Sequence, residues 1–440
     1  MLRGFMSPAP PMDRRSGFPV ASEPHARRRL PQAAGERGLN ESARSGLTRS
    51  FTGERPLMFG YWGRIGPISK WMLDLAAVTQ GYGGDCASFS YSSSNELEAG
   101  FRSLGDASFA VPTFNHGAQA FYGLRSMVAL RSALAGRLKR DRTRVFVSLM
   151  SHVWSPLLVP LIRRAGAKYV VVVHDAAPHP GDRRGMVTRW ILREAAMADH
   201  VITLSRFVAN GLVRDHGFSE SRISVLFHPD LDYRASRGIT RDPDRPLRVL
   251  FTGRLLAYKG IDLLVEAAEV LRRRGIGVDL GVYGRGEISA SLRRRLSALD
   301  IRLVNRWLSH EELAQTLSDH DVVVAPYVEA SQSGVIAAAF GAGVPVIATP
   351  VGGLVEQVVD GVTGLICGAA TPDAIADSIG RLAEDRALLA RLTAAVTATR
   401  NQRSMRRFFD DTCRIALDDA PPPGAALASS AGFASTKTNG

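Results

Sequence analysis

The sequence predicts an α/β protein built from two doubly wound parallel sheets, and three observations carry that expectation. Short β-branched apolar runs alternate with helical segments of ten or more residues along most of the chain, as strands buried on both faces and joined by crossover helices do. The runs fall into two series, separated by the Pro- and charge-rich stretch Thr240–Pro246. The chain has 440 residues, 45% hydrophobic and 22% charged, enough for two cores of ordinary soluble composition.

Residues 1–54 combine Arg, Pro, Ser and Gly with little apolar periodicity and read as a disordered basic extension. The first domain, 55–239, has strand-like runs at Leu57–Gly60, Val145–Leu149, Tyr169–Val173, His200–Leu204 and Ile223–Phe227. Val145–Ile162 comes nearest to a membrane span, but His152, three Ser and two Pro within it fit a strand followed by a helix. The linker is 240–246. The second domain, 247–400, has runs at Arg248–Phe251, Val278–Tyr283, Arg302–Asn305, Asp321–Ala325, Pro345–Ala348 and Leu365–Cys367. After Lys259, the residues Ile261, Leu264, Val265, Ala268 and Leu271 share one helical face, Asp262 suits the first turn, and Arg272–Arg274 with Gly275 form the stop. A helix over 401–417 and a disordered tail over 418–440 complete the chain.

A net charge of +13 favours acidic partners. A nucleic-acid-binding module or a set of stacking aromatics is not recognisable, so nucleic acid is not the expected partner. Cys86, Cys367 and Cys413 are far apart with no paired spacing, which fits a reducing compartment and neither a disulfide framework nor a zinc site. Residues 1–20 lack the apolar run of a secretory signal. A cytoplasmic protein is expected.

Two segments concentrate the chemistry: Phe251-Thr-Gly-Arg-Leu-Leu-Ala-Tyr-Lys-Gly260, and Pro326-Tyr-Val-Glu-Ala-Ser-Gln-Ser-Gly-Val335 running on to Gly343-Val-Pro-Val-Ile-Ala-Thr349. Each reads as a buried strand that breaks into a small-residue loop and opens a helix, a natural seat for phosphate. The first adds two cations, Arg254 and Lys259. Only 5 Lys stand against 50 Arg in the chain, so Lys259 is either a surface lysine or a compact point charge kept for an anion.

These motifs resemble a known group. Thr252-Gly-Arg254-x4-Lys259-Gly260, the Gln332-Ser-Gly-Val335 block, Gly343-x-Pro345-Val and Val351-Gly-Gly-x-x-Glu356 are similar to the donor-binding domain of retaining glycosyltransferase family 4. In 57–235 the likeness rests on Val170-Val-Val-Val-His-Asp175, Leu204-Ser-Arg-Phe-Val208 and His228-Pro229. The resemblance implies the two-domain GT-B fold and transfer from a nucleotide-diphosphate-sugar to a glycan or lipid-diphosphate-linked acceptor in cell-surface polysaccharide or glycoconjugate synthesis. Arg254 and Lys259 would clamp the diphosphate beside Gly253; a carboxylate pair positioned for Mg²⁺ beside them is not recognisable, so no metal or other cofactor is expected. Gln332, Ser333, Gly334 and Val335 would add donors at the next helix start. His174 would reach across the cleft toward the sugar or its phosphate. Gly66 marks the first loop, where the family carries a glycine pair; the second is Pro67 here.

The two Glu common in the family fall on Ala330 and Ala338, and Glu329 stands one residue from the first. The likeness is thus to a sub-branch with Gln-Ser-Gly-Val and no second Glu. Glu356 is either a donor-site carboxylate or a helix cap, and Trp307 with Leu308 either borders the base or belongs to a core. A basic stretch, Arg125, Arg131, Arg137, Lys139, Arg140, Arg142, Arg144, Arg163, Arg164 and Lys168, is either a solvated face or a patch for an anionic membrane surface. The rivals are a nucleotide-sugar epimerase of the same architecture, which would need acid/base carboxylates, and a degenerate, non-catalytic GT-B binding protein.

Overall fold

A computed structural model describes residues 54–82, 86–113, 119–177, 185–234 and 245–417. The expected extension up to residue 53, residues 240–244 of the linker and the tail from 418 lie outside the described residues.

The first sheet has seven parallel strands: β1 (Leu57–Tyr61), β2 (Ala87–Ser92), β3 (Ser108–Val111), β4 (Val145–Ser148), β5 (Lys168–Val173), β6 (His200–Thr203) and β7 (Ile223–Val225), in the order β3-β2-β1-β4-β5-β6-β7. The second has six: β8 (Leu247–Thr252), β9 (Val278–Tyr283), β10 (Arg302–Val304), β11 (Val322–Ala325), β12 (Val346–Ala348) and β13 (Gly364–Ile366), in the order β10-β9-β8-β11-β12-β13. Both sheets run outward in opposite directions from one strand pair, β1/β4 and β8/β11. Such a switch point leaves a crevice at the strand C-termini where ligands bind. Gly66 lies in the loop after β1, and the loops of the two segments that concentrate the chemistry lie after β8 and β11.

Every strand expected from the sequence is present, but β2 and β3 were not foreseen. β2 reads Ala-Ser-Phe-Ser-Tyr-Ser and is buried along its whole length. Serines take positions that β-branched residues usually fill, and Ser90 accepts the Trp62 indole N–H at 2.9 Å, so the polar atom is satisfied inside. The Val145–Ile162 region resolves into β4 and the helix Ser155–Arg164. Among the described residues no helix is long and apolar enough to cross a membrane.

Each sheet has its own core. Phe146, Val171 and Leu158 lie in the first, and Phe251, Val249 and Leu264 in the second. The helix Ile261–Arg273 buries Ile261, Leu264, Val265, Ala268 and Leu271, the face its spacing indicated. The last helix, Met405–Leu417, returns to the first lobe. Its Phe409 ring packs 6.1 Å from Phe59 and its Phe408 ring 5.1 Å from Trp71.

Candidate active site

The loops after β8 and β11 are joined at the backbone. Gly260 has φ 71°, and a Cβ there would lie 1.8 Å from the Pro326 carbonyl oxygen, so only glycine permits this approach. The Val328 N–H donates to the Tyr258 carbonyl at 2.9 Å. This seam places Lys259 Nζ 3.8 Å from the centre of the Tyr327 ring and 5.0 Å from that of Tyr258. Arg254 Nη2 donates to the Tyr258 hydroxyl at 3.1 Å. Among the described residues no carboxylate forms an ion pair with either cation. Desolvation pulls the Lys259 ammonium down to about 8, with Arg254 adding to the fall while Tyr258 and Asp175 oppose it. The two cations thus stand together on one loop, Lys259 resting on aromatic faces with Asp175 as an acid that acts on it.

The helix Gly334–Gly341 begins beside them. A Cβ on Gly253 would lie 3.3 Å from Val335 Cγ2, so the two motifs touch. The donor set differs from the expected one at Ser333. Its hydroxyl accepts the Ile336 N–H at 3.4 Å as the helix cap and lies 3.1 Å from the Tyr327 hydroxyl. Its N–H donates to Gln357 Oε1 at 2.6 Å. Ser333 therefore holds the helix start in place, and the next two amides, Gly334 and Val335, are those a helix leaves without an internal partner.

The first lobe closes on this helix start. A Cβ on Gly334 would lie 3.6 Å from Pro67 Cγ and 3.7 Å from His228 Nε2. Gly66 has φ 131° and precedes the helix Pro67–Gln80. Its N–H, expected near the phosphates, donates instead to Glu96 Oε1 at 2.7 Å. Glu96 comes from the loop after β2 and lies 3.4 Å from His310 Nε2 in the second lobe. Burial alone would raise its carboxyl, but the His310 ring, the Gly66 N–H and Trp307 beside it hold it below the usual range. The sequence reading missed Glu96 because it missed β2, and Asn95-Glu-Leu-Glu98 looks like any solvated loop. Trp307 is 43% exposed beside this carboxylate, not in a core.

His174 ends β5 and does cross the cleft, but to Gln332 and not to open space. With Nε2 2.8 Å from the Leu149 carbonyl, that nitrogen carries the proton. Nδ1 then accepts from Gln332 Nε2 at 3.3 Å. Both ring nitrogens are engaged and burial lowers the imidazole's pKa, so His174 is a neutral positioning group in this arrangement. Trp71 packs edge-on at 5.9 Å from it and 5.1 Å from His228.

Glu356 also departs from its expected place at the donor. Its Oε2 accepts the Arg206 N–H at 2.7 Å and its Oε1 the Phe207 N–H at 2.8 Å. It is a cap, as the second sequence reading had it, but for the helix Arg206–His216 of the other lobe. Ala330 and Ala338 are buried at 1% and 3% exposure. A Cβ on Gly352 would lie 1.8 Å from the Ala330 carbonyl oxygen, and one on Gly353 1.9 Å from that of Ser331. The Gly-Gly pair thus lets one backbone rest on another. Glu329 stays on the partly exposed rim of the β11 loop. Among the described residues no group of three or more His, Cys, Asp or Glu is arranged to hold a metal.

Four residues of the basic stretch are engaged by local acids. Arg137 is buried and paired with Asp141 at 2.6 Å, Arg140 with Asp106, Arg142 with Glu54 and Arg163 with Asp199. What remains is mixed: Arg131 donates to the Leu157 carbonyl at 2.8 Å, near the exposed Val128, Val153 and Leu157.

Two family models match. One, described as Glycosyl transferase 4-like domain, covers residues 73–227; the other, Glycosyl transferases group 1, covers 246–385. The first match falls on the first sheet and the second on the second sheet, each over about a third of the chain. A D-inositol 3-phosphate glycosyltransferase of Xylanimonas cellulosilytica is 34% identical over 270 residues, 56% of this chain and 63% of that protein. A GDP-mannose-dependent alpha-(1-6)-phosphatidylinositol monomannoside mannosyltransferase of Mycolicibacterium smegmatis is 32% identical over 252 residues, 52% and 64% of the two chains. The match thus spans somewhat less than two thirds of these relatives' own length. Anabaena Alr3699/HepE, solved in complex with UDP and glucose, superposes with a TM-score of 0.62 at 16% identity, covering 83% of this chain and all of that one. Sucrose-phosphate synthase of Thermosynechococcus elongatus gives 0.61 at 18%, covering 83% and 98%. The two glycosyltransferase domains adopt the expected GT-B fold.

Proposed function

We propose that the chain is a hexosyltransferase that moves a sugar from a nucleotide-diphosphate-sugar to a glycan or lipid-linked acceptor. One observation carries this reading: Arg254 and Lys259, neither in an ion pair among the described residues, lie on the loop that meets the start of the helix bearing the Gly334 and Val335 amides at the β8/β11 switch point. A diphosphate seated there meets two fixed cations and a helix dipole. Its negative charge grows as the glycosidic bond breaks, so the same contacts strengthen toward the transition state. These cations supply charge that a divalent ion would otherwise bring, which favours a metal-independent reaction. Retention of anomeric configuration and membership of the Gln-Ser-Gly-Val sub-branch rest on the motif resemblance.

His174 and Gln332 hold the two lobes in register, and Glu329 is the carboxylate assigned to the donor sugar. The relatives' names, which include a GDP-mannose-dependent mannosyltransferase and inositol phosphate glycosyltransferases, support a hexose donor and a hydroxyl acceptor. The apolar rim of Val128, Val153 and Leu157 beside Arg131 favours an acceptor with an apolar chain, met at an anionic membrane surface by a cytoplasmic, peripheral enzyme.

The test is a panel of UDP- and GDP-linked sugars added to the purified protein. At least one should raise the melting temperature and be hydrolysed slowly without acceptor. A panel in which none does either would refute the donor assignment.

A further inference from the structure

We propose that Glu356 and Gln357 act together as positioning residues that tie contact with the first lobe to the presentation of the Gly334 and Val335 amides. The two are adjacent in one short helical turn, Leu354–Gln357, where successive side chains diverge by about 100°. Each grips a different lobe. Glu356 takes the Arg206 and Phe207 N–H groups at 2.7 and 2.8 Å. These open the first-lobe helix Arg206–His216, whose N-terminal amides have no internal partner and whose dipole favours a carboxylate. Gln357 takes the Ser333 N–H at 2.6 Å and donates back to the Ser333 carbonyl at 3.2 Å. One side-chain amide thus fixes both backbone groups of the residue that caps the helix Gly334–Gly341.

The turn between them is stiff. Leu354 is fully buried, the Gly353 N–H donates to the Ala330 carbonyl at 3.0 Å, and a Cβ on Gly353 would meet the Ser331 oxygen at 1.9 Å. Displacing Glu356 therefore displaces Gln357. The first-lobe helix is fastened to the same segment a second time, by Ser205 Oγ donating to the Ser331 carbonyl at 2.9 Å. Engagement of the first lobe steadies the Ser333 peptide, and an anion held on the following amides strengthens that engagement in return, because such coupling is reciprocal. The consequence for donors rests on the diphosphate seat proposed above; the coupling itself does not.

Hydrogen exchange on the whole chain without ligand tests the coupling. Among the described residues the side-chain hydrogen bonds of Glu356 go to the first lobe and those of Gln357 to Ser333, so cross-effects are diagnostic. Glu356→Ala and Gln357→Ala should each speed exchange in both 206–210 and 333–338 by about fivefold or more. Glu356→Gln, which keeps a carbonyl acceptor, should restore part of the protection in both. Effects confined to 206–210 for Glu356→Ala and to 333–338 for Gln357→Ala would overturn the link. In UDP or GDP titrations, whichever nucleotide raises the parent's melting temperature, the double variant should bind no more weakly than the worse single variant. Additive losses would overturn it equally.

Discussion

Replacing Lys259 by Met should make the protein more stable while emptying the donor site. Burial lowers the Lys259 pKa from 10.5 to about 8. At 1.36 kcal/mol per unit, keeping the ammonium charged at pH 7 costs the folded state about 3 kcal/mol. The cation–π contact with Tyr327 at 3.8 Å returns about 1 to 2 kcal/mol of that. Met has nearly the same reach and packs well on aromatic faces, so a net gain on the order of 1 to 2 kcal/mol is expected, seen as a rise of a few degrees in melting temperature. The sign with pH follows from linkage. Between about pH 8 and 10.5 the unfolded chain binds more protons at this site than the folded one, so the parent gains stability as pH rises through that window. The variant's advantage should be full below pH 8 and shrink toward 10.5. Transfer should fall by about a hundredfold or more, as for loss of one preorganised cation. Thermal melts of both proteins from pH 6 to 10 give the comparison. A variant less stable than the parent at pH 7, or an advantage that ignores pH, would show that Lys259 is not a strained, anion-seeking charge.

Glu329→Gln should damage transfer while leaving nucleoside diphosphate affinity within a few-fold, because the carboxylate is assigned to the sugar and not to the phosphates; parent-like turnover would leave that role vacant. His228 is held neutral by burial, its pKa lowered to about 4, so stability is lost as pH falls from about 6.5 toward 4, by about 2 kcal/mol between pH 7 and 5. His228→Gln should flatten that loss in urea midpoints, and an identical decline in both proteins would rule it out. Flotation with anionic vesicles should be strong at low salt and largely lost near 0.5 M salt, to about the level seen with neutral vesicles. The protein lacking residues 1–53 is the one to use, since the Arg-rich extension could mimic the effect; no flotation at low salt would favour a soluble acceptor.

The fold was legible where strands are β-branched and loops are glycine-bearing. All eleven apolar runs named from the sequence are strands, because parallel strands buried on both faces advertise themselves by composition. β2 did not: two of its serines, Ser90 and Ser92, meet partners far away in sequence, Trp62 and Thr113, and no local pattern encodes that. The same asymmetry governs the site. The loop positions of Arg254 and Lys259 and the helix start after Ser333 could be read because each lies on a local strand–loop–helix unit. The engagement of His174 by Gln332, of Gly66 by Glu96 and of Arg206 by Glu356 joins residues 158, 30 and 150 positions apart. Those pairings depend on how two lobes meet, so the residue types were visible and their partners were not.

The two alanines at the family's carboxylate positions narrow what can face the donor sugar. Ala330 cannot be relieved by a neighbour on its own loop, because Gly352 and Gly353 press their backbone onto the Ala330 and Ser331 carbonyls. Ala338 lies in the buried helix Gly334–Gly341, with the Leu231 N–H bonded to the adjacent Ala337 carbonyl at 3.2 Å. Carboxylates must then come from the rim. Glu96 accepts the Gly66 N–H at 2.7 Å and lies 3.4 Å from His310 Nε2 in the other lobe, so freeing it would cost a charge-assisted bond. Glu356 is committed to two amides of the first lobe. Glu329, half-buried on the loop that also presents Tyr327 to Lys259, stands one residue from the first of those positions. Its substitution is therefore the experiment that separates a transferase with a relocated carboxylate from a GT-B protein that binds a nucleotide sugar without turning it over.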